Sequence, residues 1–390
     1  MSQQAAKIRV FPILLVFLTM GFTDGVGPFV SLAKSQFQLS TFIASLVPFV
    51  GLGMFGLLSV PAGLAQDRLG KKTMLLAGLT CSLLGVLNAS FGLHSFARFL
   101  LTVVLLGIGA TILQVAGNPM MREVSEKQYF ARNLVAGQFV KSIGSLSAPM
   151  IPALAARYYG ASWQVVFPIY SVALVATLVM VGLFTPHGSR PQKKASSIRS
   201  CLALLGDRSI LLMTLAIFFY VGAEISVSAG IPLLLKERFG LDVAAVGLFG
   251  TGLFLVALTA GRFSGSFILS WIAPEKFLKI TCVVAILGLL TSYSGSRWLA
   301  AASFVVIGFG FANIFPLVFS LTIERHPERE NEISGLMVSA IVGGAILPLA
   351  MGFISDHSSM LIGLLVPIAA ILYVTAVSMA ESYGTQKSIA

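Results

Sequence analysis

Residues 186–208 read PHGSRPQKKASSIRSCLALLGDR, and the rest of the chain is parsed around them. The stretch is polar and sits near the middle of 390 residues, with Arg190, Lys193, Lys194, Arg199 and Arg208 set against the single acid Asp207. The sequence on both sides is apolar. A membrane-crossing helix takes roughly 20 such residues. Runs of that kind fall at 10–33, 41–65, 73–93, 97–121, 132–157 and 163–185 before the linker. After it they fall at 209–235, 243–272, 277–295, 298–323, 332–355 and 359–380. The linker thus divides twelve runs six and six, giving a first bundle over 1–185, a cytoplasmic linker over 186–208 and a second bundle over 209–390.

Composition agrees. Only 11% of residues are charged, against about 25% in soluble domains, while 56% are hydrophobic and the mean hydropathy is +0.92. That is too little charge to cover a soluble surface of this size. An ordinary cytosolic enzyme, a disordered chain and a nucleic-acid-binding domain are excluded, the last despite a net charge of +11, because most basic residues sit in short gaps between apolar runs. The expected fold class is an all-α polytopic membrane protein. The 38 Gly and 16 Pro do not argue against helices here. Lipid offers the backbone no other partner, and small residues allow close packing. Gly107, Gly109 and Gly117 in the fourth run, and Gly247, Gly250, Gly252 and Gly261 in the eighth, suit tight helix contacts.

Charge sets the orientation. With a cytoplasmic N-terminus, 18 of the 26 Lys and Arg fall on the cytoplasmic side and 6 on the other. The bias places both termini and the linker inside, as in a multi-pass protein of the plasma (inner) membrane. An alternative reading takes Lys7, Arg9 and the first run as a secretory signal cleaved after Ser31-Leu32-Ala33; it would leave an odd number of spans. Cys81, Cys201 and Cys282 show no pairing pattern. His94, His187, His326 and His357 are scattered without metal-ligand spacing or a paired nucleophile, and no phosphate-binding loop follows a strand. No enzyme chemistry, metal or cofactor is expected.

The two halves repeat. PIYSVALVATLVM from Pro168 resembles PIAAILYVTAVSM from Pro367, an offset of 199. Gly144 and Gly343, and Pro149 and Pro348, lie at the same offset. Asn118-Pro119-Met120 lies opposite Phe315-Pro316-Leu317 at 197, and Asp24 opposite Glu224 at 200. Parallel six-helix halves are the layout of a rocking transporter with a site at the midplane.

Ionisable groups inside a membrane cost at least ~2.5–3.5 kcal/mol each on insertion scales and call for a reason. Asp24, Lys141, Glu224 and Arg262 are such groups, with Gln114, Asn118, Gln138 and Asn313 around them. Asp24 is a candidate proton carrier or a fixed partner of Lys141. Lys141 is a countercharge for an anionic substrate, that same partner, or a cation reaching for headgroups. Glu224 serves coupling, a substrate hydroxyl or helix packing. Arg262, nearer the cytoplasmic end, fits a structural pair or snorkelling. The amides suit a polyhydroxylated ligand or helix–helix hydrogen bonds. Phe139, Phe219, Tyr220 and Phe315 are aromatic platforms for a sugar ring.

Gly63-Leu64-Ala65-Gln66-Asp67-Arg68-Leu69-Gly70-Lys71-Lys72 resembles the loop signature between spans two and three of the major facilitator superfamily. LQVAGNPMM (113–121), FYVGAEISVS (219–228), AGRFSGSFIL (260–269), NIFPLVFSL (313–321) and SAIVGGAILPLAMGFISD (339–356) resemble its fucose–galactose–glucose:proton symporter family. The resemblance implies twelve helices in two bundles, a proton handled by the first-span acid (here Asp24), and gating at Asp67 and Arg68. The position before the Asn-Pro pair is an acid in fucose-type members and is Gln114 here. Gln138 matches the family's sugar-binding amide. Lys141 stands where a neutral residue is the rule, which opens an anionic sugar derivative.

The expectation is a monomeric secondary transporter importing a monosaccharide or sugar derivative by proton symport. Asp24 and Glu224 serve coupling, and Gln114, Asn118, Gln138, Lys141, Glu224 and Asn313 serve substrate. The proton is the expected coupling ion, with no cofactor, and the partners are a small-molecule substrate and the bilayer, with no nucleic acid. The rival reading is a proton-coupled antiporter exporting an organic anion or drug.

Overall fold

The computed structural model describes residues 3–24, 33–34, 36–39, 41–186, 197–240 and 252–387. Nearly all of them are helical. In chain order the helices are α1 (Gln3–Asp24), α2 (Thr41–Leu69), α3 (Lys71–Ser90), α4 (Phe96–Val124), α5 (Phe130–Tyr159) and α6 (Val166–Phe184). After the linker come α7 (Ile198–Ala203), α8 (Arg208–Phe239), α9 (Gly252–Ile268), α10 (Pro274–Thr291), α11 (Arg297–Phe311) and α12 (Ile314–Arg325). The chain ends with α13 (Glu330–Ser339), α14 (Gly343–His357), α15 (Met360–Gly363) and α16 (Leu365–Lys387). Among the described residues, nine helical stretches are long and apolar enough to cross a membrane; Val10–Thr23 and Gly252–Ile268 are shorter apolar helices where the first and eighth runs lie.

The helices form two compact units, one of residues 1–203 with 328–339, the other of 204–327 with 340–390. The same internal packing recurs in each. In the first unit α3 packs on α4 and α6, α2 on α4, and α1 on α5. In the second, α10 packs on α11 and α16, α9 on α11, and α8 on α14.

Glycine explains one contact in each set. A Cβ on Gly144 of α5 would lie 2.1 Å from the Leu18 carbonyl oxygen of α1, and one on Gly343 of α14 would lie 2.1 Å from the Phe218 carbonyl oxygen of α8. Gly21 and Gly222 face these crossings from the other side. The backbones therefore touch directly, which a side chain on either glycine would prevent. Fourth-run Gly109 packs in the same way, its added Cβ falling 2.8 Å from the Gly78 carbonyl oxygen. Gly247 and Gly250 lie outside the described residues.

Proline accounts for two other features. A helical proline has no N–H and pushes against the carbonyl four residues earlier. For Pro119 that carbonyl is Val115, and it accepts a hydrogen bond from Ser334 Oγ of α13 at 2.8 Å. For Pro316 it is Ala312, and it accepts from Arg262 Nε of α9 at 3.3 Å. The chain solves the same problem twice, with a polar side chain from a neighbouring helix.

Runs 298–323 and 332–355 each fall in one span, Arg297–Arg325 and Pro327–His357, whose helix is interrupted partway. The tenth stops at Phe311 and resumes at Ile314, with Asn313 off helical geometry at φ −114° and ψ 0°. Pro316 removes the N–H that would have bridged that point. The eleventh changes to a tighter turn over Ala340–Val342, ahead of Gly343 and Gly344.

The crossings yield a prediction. Gly144→Ala and Gly343→Ala should each lower stability by about 1–3 kcal/mol, because the collision is with backbone. Gly182→Ala in α6, where an added Cβ meets nothing within 4 Å, should leave it unchanged or raise it. Thermal unfolding midpoints in detergent check the ordering.

Candidate functional site: a polar cluster on two helices of the first unit

Gln114 and Asn118 stand one turn apart on α4, and Gln138 and Lys141 one turn apart on α5, so each pair shares a helix face. A hydrogen bond joins the faces, with Lys141 Nζ donating to Gln114 Oε1 at 3.3 Å. Gln114, Asn118 and Gln138 are all buried, Asn118 completely. Neither amide atom of Asn118 has a hydrogen-bond partner, nor does Gln138 Nε2. A buried amide without a partner costs about 1–3 kcal/mol, so these groups are under-used by the fold itself. The Asp24 side chain lies outside the described residues. Its backbone closes α1 three residues after Gly21, where an added Cβ would strike the Lys141 carbonyl oxygen at 2.1 Å.

The second unit places its polar residues differently. Glu224 of α8 pairs with Arg262 Nη2 of α9 at 3.5 Å. Arg262 also holds the Ala312 carbonyl, so it is a structural cation tying α8, α9 and the break after α11. Buried Tyr220 lies beside this pair. The Ser226 hydroxyl makes no hydrogen bond. Asn313 donates through Nδ2 to the Gly261 carbonyl at 2.9 Å and leaves Oδ1 unpartnered. Its donor is spent on helix packing, in the space a Cβ on Gly265 would fill. Three of the four aromatics named as platforms pack on other rings: Phe219 on Tyr373 at 4.8 Å, Tyr220 on Phe311 at 5.9 Å and Phe315 on Phe319 at 5.9 Å.

Asp67 and Arg68 end α2. Asp67 Oδ1 accepts from Asn331 Nδ2 of α13 at 2.7 Å, while Arg68 is exposed. Gly63 lets α13 approach, since a Cβ there would lie 2.7 Å from the Asn331 carbonyl oxygen. Sequence reasoning missed the larger part of this network. Lys71, only 5% exposed, pairs with both Glu123 and Glu330, and Arg122 Nη1 reaches Glu330 at 2.6 Å. Two cations face two carboxylates. Their proximity had no signal in the sequence, since Glu123 and Glu330 lie among several other acids in the loops around them.

The linker is not wholly irregular. Its short helix α7 docks on α13 through Ser200 Oγ donating to Glu332 Oε1 at 3.1 Å. Cys201 is fully buried there, its thiol donating to the Glu332 carbonyl at 3.6 Å. Burial first, then the neighbouring Glu332 carboxylate, pushes the thiol from an ordinary 9.0 up to about 12, with Arg329 opposing.

Two predictions follow from this face. Lys71→Met should cost about 3 kcal/mol or more, because it removes the buried cation that pairs with two part-buried carboxylates, Glu123 and Glu330, and Lys71→Arg should recover most of it; both are read as unfolding midpoints. In a chain with Cys81 and Cys282 replaced by serine, Cys201 should stay a protonated thiol through pH 9. Maleimide labelling at pH 9 should then be slow in the folded protein and rapid after denaturation.

Comparison with known proteins agrees with this architecture. A glucose/galactose transporter of Brucella abortus biovar 1 (strain 9-941) is 28% identical, over 96% of this chain and 94% of its own. The L-fucose-proton symporter of Escherichia coli (strain K12) is 26% identical over 83% of this chain and 81% of its own. The crystal structure of the E. coli fucose:proton symporter superposes with a TM-score of 0.84 at 20% identity, covering 96% of this chain and 98% of that one. Residues 13–348 match the Major Facilitator Superfamily, and the chain is a member of that family of transporters, not an enzyme.

Proposed function

We propose that the protein is a secondary active transporter that carries a monosaccharide or sugar derivative across the plasma (inner) membrane by proton symport, working as a monomer with both termini cytoplasmic. The observation that carries the reading is the Asn118 carboxamide, completely buried among apolar helices with no partner for either amide atom. A bundle gains nothing from such a group unless something else binds it. Gln138 Nε2 is left in the same condition, and Lys141 and Gln114 are joined beside them. Amides of this kind both donate and accept, which matches sugar hydroxyls. The relatives, a glucose/galactose transporter and an L-fucose-proton symporter, support the same substrate class.

Coupling needs a carboxyl that binds a proton from one side and releases it to the other. Asp24 is assigned that role because an acid held at membrane depth is disfavoured in its charged form and is readily neutralised. Glu224 serves as a second, conditional group. Protonating it would discharge its pair with Arg262 and loosen a cation that also secures the Ala312 carbonyl. No cofactor takes part.

The test is transport by the full chain in sealed proteoliposomes with an acidic exterior. Labelled hexose should accumulate against its gradient and run out when a protonophore is added. Asp24→Asn should abolish uphill accumulation while retaining counterflow exchange. Normal uphill uptake by that variant removes Asp24 from coupling, and solute driven outward through exchange for entering protons makes the protein an antiporter.

A further inference from the structure

We infer that Ser334 is a positioning residue of the site: its hydroxyl occupies the Val115 carbonyl and so keeps the Asn118 amide available to the solute. The inference rests on the sugar-symport reading for what is bound, and it adds a residue that acts on the solute only through Asn118.

Pro119 has no N–H, so the carbonyl four residues earlier, at Val115, lacks its helical partner. That carbonyl stands between Gln114 and Asn118 on α4, within the polar cluster. Side chains of an α-helix lean back over the turn that precedes them. Asn118 therefore overhangs residues 114 and 115, and an asparagine so placed can donate to the carbonyl three or four residues before it. In the helix ladder the Gln114 carbonyl accepts from the Asn118 N–H. The Val115 carbonyl is the one that proline releases, and it is the one that could draw the Asn118 amide away from a ligand.

Ser334 prevents this. Its Oγ donates to the Val115 carbonyl at 2.8 Å, and both amide atoms of Asn118 are without a partner. Both residues are completely buried. The second unit shows the alternative, an asparagine with a carbonyl left within reach. Asn313, beside the break that precedes Pro316, donates through Nδ2 to the Gly261 carbonyl at 2.9 Å, and its donor is committed to the fold.

The place of Ser334 is set by its own helix. α13 packs on α2 and α4, with Glu330 on Lys71 and Arg122 and with Asn331 on Asp67. Ser334 lies four residues past Glu330, one turn further along the same face. The ion pairs thus place the hydroxyl, and the hydroxyl preserves the amide.

Two measurements on the full chain test this. The first needs no ligand and is a double-mutant cycle read as unfolding midpoints in detergent. In Ser334→Ala the Asn118 amide should turn to the Val115 carbonyl and limit the loss. In an Asn118→Leu background nothing replaces the hydroxyl, and Ser334→Ala should lower the midpoint at least about twice as far. An equal or smaller loss in that background overturns the inference. The second is uptake of labelled D-glucose and D-galactose by proteoliposomes under an inward proton gradient. Ser334→Ala should raise the half-saturation about tenfold and change the maximal rate less than about twofold. A fall in maximal rate at unchanged half-saturation makes Ser334 a packing residue alone and overturns the inference. Should Ser334→Ala fail to fold, Ser334→Cys takes its place in both measurements, since a thiol fills the space and donates weakly. Absence of uptake of either hexose by folded wild-type protein removes the sugar reading, and the cycle of midpoints then decides the role of Ser334 by itself.

Discussion

Hydrocarbon tails offer a polypeptide no hydrogen bonds, so each backbone carbonyl that loses its helical partner must find another inside the protein. This constraint runs through the structure. Pro119 and Pro316 each free one carbonyl, at Val115 and Ala312, and each carbonyl is met by a side chain from another helix, Ser334 and Arg262. The proline positions are therefore tethers. They fix which helices must stay together, and in the second case they recruit a cation into the membrane. That cation in turn demands an acid, which Glu224 supplies. A missing N–H at residue 316 thus accounts for the presence of two charged residues in an apolar bundle.

Close packing is subject to the same economy of polar groups. With lipid as apolar as the side chains, helices gain little from hydrophobic burial against each other and depend on shape. Backbone contact at Gly144 with Leu18, and at Gly343 with Phe218, is the closest form such packing takes. The contact leaves no room for variation at the glycine, which is why the duplicated halves still carry it at a constant spacing while most of the sequence around it has diverged.

That difference explains what could be read in advance. The helical membrane character and the paired glycines and prolines were legible, because lipid and backbone contact impose them on residue type directly. The matched prolines were legible as a repeat, but their tethers were not: Ser334 is one serine among many, and it lies 219 residues from the carbonyl it serves. Glu330 was equally hidden. It falls in a polar loop, where an acid is ordinarily solvated, and only folding brings Lys71 and Arg122 to it. In the site, the amide and lysine positions were visible as polar residues in apolar runs. What sequence could not separate was Asn313, whose donor is consumed by Gly261, from Asn118, whose amide is not. Both are single asparagines beside a helical proline or its break, and the distinction depends on which neighbour lies within hydrogen-bond range.

The duplication also shows how one scaffold came to hold two kinds of chemistry. Asp24 and Glu224 stand at matching positions 200 residues apart, each just beyond a glycine crossing. In the second unit the helix break after α11 draws Arg262 toward Glu224, so acid and base neutralise one another and the polar cost is met internally. In the first unit the corresponding carbonyl, Val115, is satisfied by the neutral Ser334 hydroxyl. The membrane-depth lysine of this unit stands on α5, where Lys141 donates to Gln114 beside buried amides. The carbonyl released by proline has to be capped by something, and what caps it determines whether a cation is drawn to that point: Arg262 in the second unit, a neutral serine in the first.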